Sequence, residues 1–191
     1  MRRIAFLLLA IVVGLALGVV SAVWTSRSPV LGDFVRAGAW RADLSAGSSD
    51  AGLYTRARVA LVGLLALDRR ETVYFVADSD DEGRRLDGAC SYIIEGAAPA
   101  ARWWSITAYG ADFFLIDNPA RRYSVNAKSA QPDAGGRFRI AVSSRQQPAP
   151  YLAAPASGPF MLNLRLYNPS AALAQDPATL AAPSIRREGC P

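Results

Sequence analysis

The chain contains no histidine. That excludes a Ser-His-Asp triad, a Cys-His pair and any histidine-ligated metal, and leaves carboxylates as the acid–base option. Lysine is almost as scarce: of 21 basic residues only Lys128 is one. Arginine excess suits anion recognition, because the guanidinium fork matches carboxylate and phosphate; a codon preference for arginine over lysine explains it equally. The net charge is +5, Arg2 and Arg3 supply two of those units, and no block of like charge or basic helix follows. Nucleic acid is therefore not an expected partner. Cysteine occurs only at Cys90 and Cys190, without a CxxC motif. Neither a cofactor nor a metal is expected.

One long apolar run is present. Ile4 to Trp24 is 21 residues without a charge, enough to cross the cytoplasmic membrane as a helix. Arg2 and Arg3 precede it, which keeps the start cytoplasmic and sends the rest outward. Gly14 and Gly18 have the GxxxG spacing that lets two membrane helices approach, although glycine is common in such helices without pairing. The competing reading is a signal peptide cut near Val20-Ser21-Ala22, but the run is longer than a signal core. The expected layout is an anchor or uncleaved signal at 1–25, a linker at 26–49 and an exported domain at 50–191. That places a single-pass protein in the inner membrane with its domain in the periplasm.

Within the linker, Trp40 is an aromatic available to dock on the domain. Ser49 or Asp50 can cap a helix, which is expected over Ala51 to Leu67. Leu53, Ala57, Ala60, Leu61 and Leu64 share one face of it, and its second half is apolar nearly all round, as in a buried helix. Strands then dominate: Thr72 to Asp78, Ala89 to Glu95, Arg137 to Ser143 and Phe160 to Tyr167. In the last, Phe160, Leu162, Leu164 and Leu166 face the core, and Met161, Asn163, Arg165 and Tyr167 face away. A helical turn is expected at Ser170 to Gln175.

The stretch from Arg102 to Tyr123 organises the rest. Trp104, Ile106 and Ala108 alternate with Trp103, Ser105, Thr107 and Tyr109, which argues a strand. Gly110 breaks it, and Phe113 to Ile116 is expected to return as the second strand of a hairpin. Asn118-Pro119 marks a turn, which Asp117 is placed to cap. Trp103 and Tyr109 either line a groove for a sugar ring or peptide, or pack half-buried. Seven or more short strands with one packed helix give a mainly β fold, a β-sandwich or jelly roll behind a single N-terminal transmembrane helix.

Three constellations bear on chemistry. Asp78 to Gly83 imitates the start of a calcium loop, but position 12 falls on Ala89 and Arg84-Arg85 follows at once, so an exposed charged loop is expected. Cys90 and Cys190 are expected to form a disulfide outside the cytoplasm, tying the tail onto the strand at Cys90. Asp112 and Asp117 are the alternative catalytic carboxylates for an enzyme acting on carbohydrate, although their strand parity is opposite.

Taken together, RWWSITAY, FLIDNP, RRYSV, GPFMLNLRLYNPS and PSIRREGC, preceded by DAGLYTRARVALVGLLAL, resemble the bacterial family called domain of unknown function 1214, in its short membrane-anchored form. The resemblance covers roughly Gly47 to Cys190. It implies a mainly β, jelly-roll-like domain in a Gram-negative cell envelope, and brings no activity and no catalytic residues. The expectation is a non-enzymatic module that binds an envelope glycan or protein through Trp103, Tyr109, Arg122, Arg165 and Tyr167.

Overall fold

The computed structural model describes residues 2–27, 33–61 and 65–190. It opens with helix α1, Arg2–Arg27, whose most apolar 18-residue window has a mean hydropathy of 2.9 and is not buried by any of the described residues. Such a helix is long and apolar enough to span a membrane; a signal sequence has the same properties.

The remainder is a two-sheet sandwich. A hairpin of β1 (Phe34–Ala37) and β2 (Trp40–Asp43) comes first, then α2 (Leu53–Leu61), β3 (Thr72–Ala77) and β4 (Ser91–Ala97). Next come β5 (Ala101–Gly110), β6 (Ser124–Asn126), β7 (Arg137–Ser143) and β8 (Tyr151–Ala153). The chain closes with β9 (Phe160–Pro169), α3 (Ala171–Gln175), a 3-10 turn at Pro177–Thr179 and β10 (Ser184–Gly189). The larger sheet runs β1-β2-β3-β9-β5-β6 and the smaller β10-β4-β7-β8. All pairings are antiparallel except β7 with β8.

The core lies where the sheets face each other. Phe75, Leu164 and Ile106 sit side by side across β3, β9 and β5, and Ile185, Ile94 and Ile140 across β10, β4 and β7. All six are fully buried. Burying an aliphatic or phenyl side chain of this size is worth about 1.5–3 kcal/mol, so these two rows alone commit the sheets to each other. Trp104 and Phe138 join the layers with ring centroids 4.6 Å apart, and Tyr92 meets Phe160 edge-on at 5.8 Å.

The sheets are also joined at their edges. Trp40 is completely buried and its indole Nε1 donates to the Pro183 carbonyl at 2.7 Å. Pro183 in turn lies against Gly96, where a Cβ would come within 2.9 Å of the Pro183 Cα. The disulfide Cys90–Cys190 is formed across a sequence separation of 100. In the chain-entropy account a loop of that size is worth up to about 4.7 kcal/mol. Disulfides form and persist most readily in oxidising compartments.

Several expectations change. The stretch 26–49 contains β1 and β2, so the sheet begins at Phe34, inside the expected linker. The tail Ile185 to Cys190 is not merely tied down: it is strand β10, paired along β4. The Asp78–Gly83 loop is not wholly exposed. Asp80 is buried and accepts from the Glu82 and Arg84 N–H groups at 3.1 and 2.9 Å and from Arg84 Nε at 3.0 Å. Arg187 Nε stands 3.2 Å from the same carboxylate without hydrogen-bond alignment. Neighbouring Asp81 accepts from the Ile185 N–H at 2.8 Å, so the loop clamps β10.

The expected second strand at Phe113–Ile116 is a loop. Phe113 has φ +66°, and only a bridge between Tyr109 and Leu115 remains of the pairing. The partners of β5 are instead β9 and β6. Asn118, not Asp117, holds the turn: its Oδ1 accepts from the Arg122 N–H at 3.0 Å, and its Nδ2 donates to the Ile116 and Arg122 carbonyls. The helix expected to Leu67 is described only to Leu61; 62–64 lie outside the described residues and 65–67 are not helical. Neither Ser49 nor Asp50 caps it. It is not a buried helix either, since Thr55 is its one buried residue.

Two measurements test these contacts. Trp40→Phe keeps an aromatic ring but removes the indole N–H and leaves the buried Pro183 carbonyl unpaired, which costs about 1–3 kcal/mol; urea denaturation is expected to show at least that loss, and an unchanged midpoint would place the hairpin outside the cooperative fold. The second concerns acid. Burial pushes the Asp80 carboxyl up, but the Arg84 N–H and guanidinium and the Arg187 charge outweigh it and hold the pKa below the usual value. A depressed folded pKa gives stability that is present above the unfolded pKa, about 3.9, and lost as pH falls through the folded one. Asp81 is pushed the other way by its own desolvation, so the comparison must isolate Asp80. Asp80→Asn is expected to be less stable than wild type at neutral pH, with the gap closing below about pH 4. A gap independent of pH would overturn the assignment.

Candidate functional site

A strand buries one side and offers the other, and in the larger sheet the offered side is polar and aromatic. Register sets its rows. Thr72, Tyr167 and Trp103 form one; Tyr74, Arg165, Ser105 and Asn126 the next; Val76, Asn163, Thr107 and Ser124 the third; Met161 and Tyr109 the fourth. Between β9, β5 and β6 this face carries a shallow open groove of about 560 Å³, lined by Trp103, Ser105, Thr107, Ser124, Asn126, Arg165 and Tyr167 among others.

Arg165 is the centre of this face. It is half-buried, its Nη2 donates to the Tyr109 hydroxyl at 2.5 Å, and its guanidinium lies 5.7 Å from the centroid of the same ring. No carboxylate pairs with it among the described residues. The contrast with the β1–β3 side of the sheet is instructive. There Arg41 grips Asp78 in a two-pronged pair at 2.7 and 3.1 Å, and Arg58 reaches Asp43 at 2.5 Å. Burial raises the Asp78 carboxyl, but Arg41 more than reverses this and holds it below the usual value. Those charges are neutralised within the fold, whereas that of Arg165 is balanced by an aromatic ring and a phenol alone.

Buried polar groups complete the face. Ser105, Thr107, Asn163 and Thr72 are each buried. Asn163 is 8% exposed, and its Oδ1 has no hydrogen-bond partner among the described residues; neither has the Thr72 hydroxyl. An unpaired buried acceptor costs about 1–3 kcal/mol, so a folded protein that keeps one calls for a partner such as an ordered water or a ligand. One edge of the face is overlaid by the segment after α2, where Tyr74 Oη donates to the Leu65 carbonyl at 2.7 Å.

The structure thus gathers Trp103, Arg165 and Tyr167 in one groove and joins Tyr109 to Arg165. Arg122 stands apart: it is exposed in the loop before β6 and does not line the groove. Asp112 and Asp117 are exposed and also lie outside it. Asp112 is occupied locally, accepting from the Phe114 N–H at 3.1 Å. The residues the sequence did not single out are Ser124 and Asn126, on a strand of three residues. A second hollow beside the disulfide is lined by Arg84, Arg85 and Arg187. Arg84 pairs with Asp80 and Glu82, and Arg187 with Asp80 and the Arg85 carbonyl, so two of its three cations are already committed.

Comparison with known proteins places this face in context. The family model for "Protein of unknown function (DUF1214)" matches residues 71–171, which contain β3, β5, β6 and β9 whole. No curated protein matches the chain. Among solved structures, the chain is similar to the VPA0106 protein from Vibrio parahaemolyticus, at 26% identity and a TM-score of 0.61, over 73% of this chain and 36% of that one. The chain therefore spans little more than a third of that protein's length. An uncharacterised protein from Burkholderia cenocepacia aligns at 14% identity and a TM-score of 0.42 over 61% of this chain and 29% of its own, a likeness too low to carry an argument.

Asn163→Leu separates site from scaffold. Removing an unpaired buried polar group in favour of an apolar one of similar shape is close to neutral or stabilising, so its melting temperature is expected to stay level or rise. A clear fall would mean that Asn163 holds the sheet together rather than serving the groove.

Proposed function

The chain belongs to the DUF1214 family of proteins of unknown function, and on that premise we propose that it is a non-enzymatic envelope module whose groove binds a glycan bearing an anionic group. The observation that carries this is Arg165, a half-buried guanidinium without a carboxylate partner among the described residues, at the middle of an aromatic and hydroxyl-lined face. Charge and hydrogen-bond donors suit a carboxylate or phosphate, while Trp103 and Tyr167 offer flat apolar faces to a sugar ring. Among the described residues the groove lining contains no carboxylate. A carbohydrate-cleaving site would need two, set about 5–10 Å apart around the bond, so binding is preferred to turnover.

The same reading assigns the inner membrane, with the sandwich in the periplasm. It is supported by Arg2 and Arg3 ahead of the apolar helix, by the length of that helix and by the disulfide. Each alone is compatible with a cleaved signal or another oxidising compartment; together they favour an anchored envelope protein.

The test is thermal stability of the full chain in detergent against anionic and neutral envelope glycans. A ligand at a hundredfold its dissociation constant adds about 2.7 kcal/mol. Arg165→Ala is expected to weaken binding by about 1.5–3 kcal/mol, the usual worth of a charged hydrogen bond, with the circular dichroism unchanged. Trp103→Ala is expected to weaken neutral and anionic ligands alike. Absence of any shift across the panel, or binding that survives both substitutions, would overturn the glycan reading and favour a protein partner.

A further inference from the structure

Helix α2 is inverted relative to the sandwich. Leu53, Tyr54, Ala57, Ala60 and Leu61 fall on one side of it by helical spacing, and all five are exposed. Leu53 is 83% exposed, Leu61 57% and the following Leu65 80%. The opposite side, Thr55, Arg58 and Val59, is the one turned to the protein. Arg58 reaches Asp43 and lies over the Phe34 ring, and Thr55 Oγ1 is 3.4 Å from the Ser45 hydroxyl. A surface helix ordinarily does the reverse, burying its apolar stripe. An apolar side presented outward marks an interaction surface.

What covers that side is indicated by the neighbouring helix. α1 approaches α2, although it leaves the leucines uncovered. Six peptide steps separate Arg27 from Asp33, which reach at most about 21 Å. Asp33 is paired with Leu44, just beyond the β1–β2 register, so the chain enters the sandwich at the α2 end. We infer that α2 lies flat on the membrane that α1 spans, with Leu53, Leu61 and Leu65 sunk into the boundary between headgroups and acyl chains. Helices with this division of faces sit about 5–10 Å deep. The sandwich would then be held in a fixed orientation rather than swinging on a tether. Phe114 supplies the contrast, because it is also exposed yet follows β5 at the opposite end. Trp103 and Tyr109 alone are six residues apart along β5, roughly 20 Å.

The experiment uses the full chain reconstituted in phosphatidylcholine–phosphatidylglycerol vesicles, with the Cys90–Cys190 disulfide intact. Leu53→Cys, Leu61→Cys and Phe114→Cys variants carry one environment-sensitive fluorophore each. At positions 53 and 61 the label is expected to emit at shorter wavelength, to lose intensity with nitroxide-labelled lipid and to resist aqueous iodide. At 114 it is expected to respond to iodide and not to lipid. Iodide quenching at 53 and 61 would overturn the inference, as would protection from both quenchers, which would mean a protein covers the helix. Mass spectrometry showing that the mature chain lacks α1 would overturn it as well. Leu53→Asp with Leu61→Asp is expected to restore iodide access on α2, read from a label at Ala57→Cys, while leaving the unfolding transition in place.

Discussion

Strands β5 and β9 are each ten residues long and are paired along almost their whole length, from Ala101 opposite Pro169 to Gly110 opposite Phe160. Because side chains alternate, that one register assigns every residue on both strands to a side. Trp104, Ile106 and Ala108 meet Leu166, Leu164 and Leu162 inside; Trp103, Ser105, Thr107 and Tyr109 meet Tyr167, Arg165, Asn163 and Met161 outside. A slip of one residue would turn the arginine and asparagine into the core and the leucines to water. The core and the groove are therefore two faces of a single constraint. The hydrophobic side enforces a geometry that the polar side alone could not hold, and the free acceptor of Asn163 persists because three buried leucines fix where it must be.

The periphery is held by a different kind of contact. β2 and β10 are short strands at or next to a sheet edge, and each is secured by a polar link to a distant part of the chain. Trp40 hydrogen-bonds to Pro183, Asp81 to the Ile185 N–H, and the guanidinium of Arg187 to the Arg85 carbonyl. Glu95 gathers Arg137, Arg139 and Arg186 on the outer face of the smaller sheet. Those pairs are exposed and contribute little individually. The buried links carry more, since breaking one strands a desolvated group.

The sequence was most readable where burial was one-sided. β7 has the bounds expected from its alternation, and the inward and outward sets on β9 were both legible. The outward residues of the groove were legible as a face but not as a cluster, because neighbours across strands depend on pairing order. β6 and β8 have three residues each, too few to show a period. β10 reads Ser-Ile-Arg-Arg-Glu-Gly, and its one buried apolar side chain, Ile185, gives no pattern. The apolar run at Phe113 misled because length and hydrophobicity alone do not distinguish a strand from a loop. In α2 the period was right and the direction wrong: spacing defines a face, not what covers it.

The pairing of β4 with β10 has a consequence for the order of assembly. β4 ends at Ala97, and the strand that covers its outer edge begins at Ser184. Until residues 184–189 have been made, the edge of Ser91 to Glu95 that β10 will cover has no partner, beside Ile93 and Ile94. An open apolar edge is a template for pairing with other chains. The contact that closes it is among the least local in the molecule, and non-local closure is slow. The nascent domain therefore has a defined interval of vulnerability, which ends when residues 184–189 zip onto β4 and Cys190 meets Cys90. A chaperone with affinity for an extended apolar edge would find its substrate in that interval and lose it when the last strand arrives.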